Sequence, residues 1–396
     1  MDLERCPDGQ AIEVARGLAT DYTEEEYLLR GTAASYADEL APYVTRILVR
    51  RPEHFSGTVV VEWFNISSFM DAGVEWQYIH GELFRSGTVW VGVSAPGPRA
   101  VAAAGDDRSR WDAGALPRRP AVPVLALVTE TDVITAGYAG ARRLDGPNLR
   151  VWELAGASHA DTYLNTTGRL DLTQATPTEL AAALAPTTRV SGMDLQHLAN
   201  SGPQHHYVAK AAIRRLDQWV REDVPPPQAP PLASVPGPAL ERDDHGNALG
   251  GVRTPWMEVP TAVLTGVSPD DGVLGRLFGL TVPFSPAILD SLYGDSYLPA
   301  FEAATDDAVA KGFLLADSRP RSRPWPPHPW RPGCPESGSA EERAAAQHSA
   351  SRTAWLGGPF QTSASRAGAS TSSIIGAVRS PSCRTSPRRT DEPSPT

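Results

Sequence analysis

Three side chains suited to acyl-transfer chemistry lie near one another in the chain: Glu130, Asp132 and His159. The segment VLALVTETD (124–132) reads as an apolar strand followed at once by acids. LRVWELAGASHAD (149–161) reads as the next strand, followed by Gly156, Ser158 and His159. Open α/β sheets place their sites just past the carboxyl ends of parallel strands, where the loops converge. An acid on one strand end and a histidine on its neighbour can meet there. The acid would then fix the imidazole tautomer and stabilise the imidazolium. The acid-then-histidine order suits a hydrolytic triad. A strand followed by a lone histidine also fits a packed loop residue; the acid on the preceding strand end favours a site.

A nucleophile is harder to find. No G-x-S-x-G occurs anywhere in the chain. Ser94 follows the strand VWVGV, Ser67 and Ser68 follow TVVVEW, and Ser158 precedes the histidine. A serine attacks only when a base sits within hydrogen-bond reach, and one not shaped by a strained turn rarely meets that demand. His205-His206 open a helical stretch, where adjacent residues point in different directions, so packing against the core is favoured over a metal site. Asp243, Asp244 and His245 read as a turn leading to Gly250-Gly251, without calcium-loop spacing. No G-x-G-x-x-G follows a strand and no phosphate-loop motif occurs, so no cofactor is expected.

The elements that must position these groups follow from periodicity. TRILVRRP (45–52) alternates as a half-buried strand, and TVVVEW (58–63) is a buried one. From Asp71 to Arg85, Ala72, Trp76, Ile79 and Leu83 share a helix face, with Asp71 as expected N-cap and Gly87 as stop. TVWVGVSA (88–95) completes a βαβ unit, which predicts parallel pairing. Residues 96–123 hold many prolines and glycines and predict no regular structure. Strands are expected again at 124–128 and 149–154. Helices are expected at Thr135–Arg143, at 204–222 (stopped by Pro225) and at 297–312.

Composition sets wider bounds. Net charge is −10, and lysine occurs only at Lys210 and Lys311, against general nucleic-acid binding. Cys6, Cys334 and Cys383 make no disulfide or zinc pattern. The opening MDLERCPDGQ has neither region of a signal peptide, and no apolar run reaches the roughly 18 residues of a membrane helix. A soluble cytoplasmic protein is expected. Residues 1–223 read as a core with an internal gap at 96–123, and 224–316 as an accessory section that opens on a Pro-rich linker, 224–240. The tail 317–396 is rich in Ser, Arg and Pro, with eleven arginines against six acids, and predicts disorder.

The blocks TVVVEWFNISSFMDAGVEWQYIHGELFRSGTVWVGVSA, VPVLALVTETDV, VWELAGASHADTY, SGPQHHYVAKAAIRRLDQWV and ERDDHGNALGGVRTP together resemble the α/β hydrolase domain proteins. The resemblance spans most of 10–316. It implies an α/β fold with a mostly parallel sheet flanked by helices, a Ser-His-acid triad, and hydrolysis of carboxylic esters or related small acyl substrates. Asp132 matches the triad acid, with Glu130 as fallback, and His159 matches the histidine. The turn at Phe64-Asn65-Ile66 falls where such folds supply an oxyanion amide. In the family a much longer region, holding the nucleophile elbow, separates GVSA from TETD. The expected sheet is therefore incomplete, with TVVVEW and VLALV able to pair directly across 96–123. Reduced stability or a compensating homodimer would follow. The activity expected is an impaired ester hydrolase; the alternatives are a non-catalytic ligand- or partner-binding relative, or a non-functional truncated product.

Overall fold

A computed structural model describes residues 2–6, 21–34, 40–64, 73–94, 122–134, 142–167, 185–190, 192–235, 239–269, 275–318 and 374–376. The first sheet is built from β1 (Asp2–Arg5), β2 (Tyr22–Ala34), β3 (Leu40–Pro52), β4 (Val59–Trp63) and β5 (Val89–Val93). Its spatial order is β1-β2-β3-β5-β4. Only β4 and β5 run parallel, joined by helix α1 (Val74–Ser86) as the βαβ pattern requires. The others pair antiparallel. The β2–β3 pairing sets Glu24 opposite Arg50, whose guanidinium meets that carboxylate at 2.7 Å and stacks over Trp76 at 4.0 Å.

The second sheet holds β6 (Val124–Thr129), β7 (Leu149–Leu154) and β14 (Ile374–Gly376). β6 and β7 are parallel, and β14 pairs antiparallel with β6. All six residues of β6 are buried, as expected of a strand covered on both faces. The expected mostly parallel sheet is thus corrected to a mixed arrangement, because the long β2–β3 hairpin and β14 both add antiparallel pairs. β4 and β6 do not pair directly; β14 holds the edge of β6 instead. Most of the expected disordered tail lies outside the described residues, apart from 317–318 and β14, and so does nearly all of 96–123.

Helix α2 (Glu130–Ile134) leaves β6 directly, and the expected helix at 135–143 lies mostly outside the described residues. Helix α3 (Thr162–Thr167) follows the histidine loop, and α4 (Gln204–Glu222) packs on α1 over a core containing Trp76, Trp90 and Trp152. The short pair β8 (Arg189–Val190) with β9 (Met193–Asp194) precedes α4, and the accessory section opens with β10 (Ser234–Val235) paired to β11 (Ala239–Leu240). It continues with α5 (Pro255–Glu258), β12 (Ala262–Thr265) paired to β13 (Leu280–Pro283), α6 (Pro286–Leu292) and α7 (Tyr297–Lys311). Among the described residues no helix is long and apolar enough to cross a membrane.

Helix α1 ends as its sequence suggests. Gly87 takes a left-handed conformation (φ 64°), and its N–H reaches the carbonyls of Leu83 and Phe84. Its start differs: the helix begins at Val74, after Gly73, with no side-chain cap from its own chain end. The free amides of Glu75 and Trp76 instead donate to the carboxylate of Glu62 on β4, at 2.8 and 2.9 Å. Asp71, the expected cap, lies outside the described residues.

Candidate active site

The ends of β6 and β7 bring Asp132 and His159 together. Asp132 Oδ1 lies 3.2 Å from His159 Nδ1, and both side chains are buried. Asp132 Oδ2 accepts from the backbone N–H and the hydroxyl of Thr129 at 3.0 and 2.8 Å. The carboxylate is therefore fixed at both oxygens, one on its own strand and one on the imidazole. Burial pushes its pKa up, but the hydrogen bond and charge of His159 and the bonds from Thr129 outweigh that and bring it to about 2. Burial likewise opposes charge on His159. The hydrogen bond and charge of Asp132, with a further contribution from Glu75, nevertheless hold its pKa above the ordinary value. In the tautomer that donates Nδ1–H to Asp132, Nε2 carries the lone pair that takes a proton.

This pairing has a direct spectroscopic consequence. The imidazole of His159 is expected to titrate above 6.5 by NMR. In Asp132→Asn it should titrate below 6.5, since burial is then opposed far less. A titration that stays put on substitution would mean that Asp132 does not govern the ring.

Glu130, the fallback acid, is engaged elsewhere. Its carboxylate is fully buried and accepts from Gly156 N–H on one oxygen, and from Thr265 Oγ1 and Gly266 N–H on the other. Arg242 stands 3.8 Å away. Glu130 thus ties the histidine loop to β12. Thr131 adds a second tie: its hydroxyl donates to Gly266 O at 2.7 Å and accepts from His159 N–H at 3.0 Å. Gly156 makes the tight turn after β7 with φ 70°, and a Cβ there would sit 2.2 Å from Met257 Sδ. Asn200 completes the brace, donating to Gly156 O and Thr265 O.

Beyond the dyad lies a buried polar cluster. Tyr78 OH donates to Asp161 Oδ1 at 3.1 Å, and the same oxygen accepts from Leu164 N–H at the start of α3. His205 Nε2 is 3.5 Å from Glu75, and His206 Nε2 is 3.2 Å from Tyr163 OH. Both histidines are buried at the start of α4 against the rings of Tyr78 and Tyr163, matching the packed reading of that pair. Among the described residues no three metal-type side chains converge on a point. Asp243 accepts from the amides of His245 and Asn247, which makes that block a turn.

Of the four candidate serines, Ser94 and Ser158 fall among the described residues. Ser158 Oγ donates to Ala160 O at 3.1 Å. Ser94 closes β5, its N–H on Arg46 O. Ser67 and Ser68 lie outside the described residues, as do Asn65 and Ile66 of the expected oxyanion turn. The N–H of Phe64 donates to Val93 O at 2.9 Å and is committed to the sheet, so it does not serve as that amide.

A family model described as an alpha/beta hydrolase domain matches the chain in two stretches, 9–121 and 97–323. No curated protein and no solved structure matches it. Most of the chain, including both strand ends that carry Asp132 and His159, falls within those stretches. The chain belongs to the alpha/beta hydrolase domain family.

Proposed function

We propose that this chain hydrolyses small carboxylic esters or related acyl substrates through His159 and Asp132, at a rate impaired by the lack of a nucleophile elbow. The contact of His159 Nδ1 with Asp132 Oδ1, at the ends of adjacent parallel strands, carries this reading. In such a site Nε2 removes a proton from the attacking oxygen as that oxygen bonds to the acyl carbon. The imidazolium, held by Asp132, then returns the proton to the departing alkoxide, leaving an acid and an alcohol. With an elbow serine the attacking oxygen would be a hydroxyl. Without one it is water, and a triad lacking one member keeps only a small part of the rate. The two family matches overlap at 97–121, between the strands GVSA and TETD.

Purified chain is expected to hydrolyse p-nitrophenyl acetate slowly, with His159→Ala reducing that rate at least about tenfold. It should incorporate no fluorophosphonate probe by intact mass. Probe on a single serine would replace water with that serine as nucleophile. Equal rates for wild type and His159→Ala would remove catalysis from the dyad. The second reading, a relative that binds a small ligand without turning it over, is favoured by the absence of any G-x-S-x-G, and that equality would select it.

A further inference from the structure

β6 has β7 on one edge and β14 on the other, with Ile374, Ile375 and Gly376 opposite Ala126, Leu125 and Val124. Among the described residues β4 has β5 on one edge only. Residues of β14 also lie within 8 Å of β4, Cα to Cα, which sets this short strand in the space between the two sheets. An uncovered strand edge exposes a row of backbone donors and acceptors, and on a strand as apolar as β6 it invites pairing with another chain.

We propose that the facing edges of β4 and β6 form a strand-acceptor slot, filled in cis by the tail segment Ile374–Gly376. The tail's composition supports this independently of the pairing. Beyond residue 316 the aliphatic β-branched residues are Ile374, Ile375 and Val378, all within five positions. The stretch AGASTSSIIGAV (367–378) carries no charge and no proline, although it lies in a chain otherwise crowded with both and is bounded by Arg366 and Arg379. It is the part of the tail best suited to a strand. The 55 residues between Ser318 and Ile374, at up to about 3.3 Å each, give ample reach. Such strand addition takes affinity from main-chain hydrogen bonds and needs little else from the added segment. The pairing covers the amino-terminal half of β6, the strand whose other end presents Asp132.

Hydrogen exchange on the full chain tests this. Ile375→Pro removes a backbone donor opposite Leu125. Exchange of peptides covering 124–127 should quicken by about tenfold or more. Ser365→Pro, outside the segment, should leave it unchanged. A free peptide of residues 371–378 added to the Ile375→Pro chain should restore protection, which a globally damaged fold would not allow. Unchanged exchange in Ile375→Pro would overturn the proposal. So would wild-type protection that fades on dilution, because the strand would then come from a second copy.

Discussion

Glu130→Ala should lower the unfolding free energy by about 3–5 kcal/mol, the usual result of deleting one partner from a buried charged network. The substitution leaves Gly156 N–H, Gly266 N–H and the Thr265 hydroxyl without the acceptor they share. Each buried donor so abandoned costs about 1–3 kcal/mol, offset in part by relaxation or by an entering water. Because those donors belong to the histidine loop and to β12, the damage should also reach the site: the loop that carries His159 loses its tie to the rest of the fold. Urea denaturation of the two proteins checks the first effect, and the His159 NMR titration checks the second. A loss below about 1 kcal/mol would mean that the carboxylate is not the acceptor holding this loop.

The role of Glu130 shows where reading a sequence succeeds and where it stops. The strands β4 to β7 and helix α1 were legible because their signals are local. VVVEW, VWVGV and VLALVT are continuous apolar runs, and Trp76, Ile79 and Leu83 repeat at helical spacing. The placing of Asp132 and His159 was legible for the same reason, since each follows its strand at once. Which of two acids faces the histidine was not written in the local pattern; only the family resemblance favoured Asp132. It depends on the short helix α2, which turns Asp132 toward His159 and Glu130 toward Gly266, a residue more than a hundred positions away. The cap of α1 is similar. Glu62 is a polar residue in a buried strand, and only the folded βαβ unit reveals that it meets the amides of Glu75 and Trp76. β2 was missed because YTEEEYLLRGTAA is largely polar; its pairing is written in its cross-strand charges, Glu24 with Arg50 and Glu26 with Arg46, and not in its hydropathy. β14 follows the same rule: nothing local says which edge three residues will cover.

Glu62 also dictates how stability should respond to pH. Burial, with the nearby charge of Glu75, raises its pKa from 4.5 to about 8 even though two backbone amides and the indole N–H of Trp90 donate to it. The unfolded chain releases this proton near 4.5 while the folded chain keeps it until about 8. Between those values the folded state binds more protons, so stability falls as pH rises, by about 1.4 kcal/mol per unit for one proton. His206 and His80 act in the opposite sense. Burial lowers their pKa values, so they favour the folded state as pH rises, until the unfolded imidazoles, half protonated at 6.5, have lost their protons about one unit higher. Asp161, raised to about 6, adds to the fall and is spent about one unit above that value. Toward pH 8 the slope therefore belongs to Glu62, with His159 adding to it in the same direction because its pKa is raised. Wild-type protein should lose up to about 2 kcal/mol between pH 6.5 and 8. Glu62→Gln cannot ionise and should lose much less, even if it starts lower because an amide offers one fewer acceptor to the start of α1. Urea denaturation of both proteins across that range decides it. Parallel curves would mean that Glu62 is already ionised at neutral pH and that its three donors outweigh its burial.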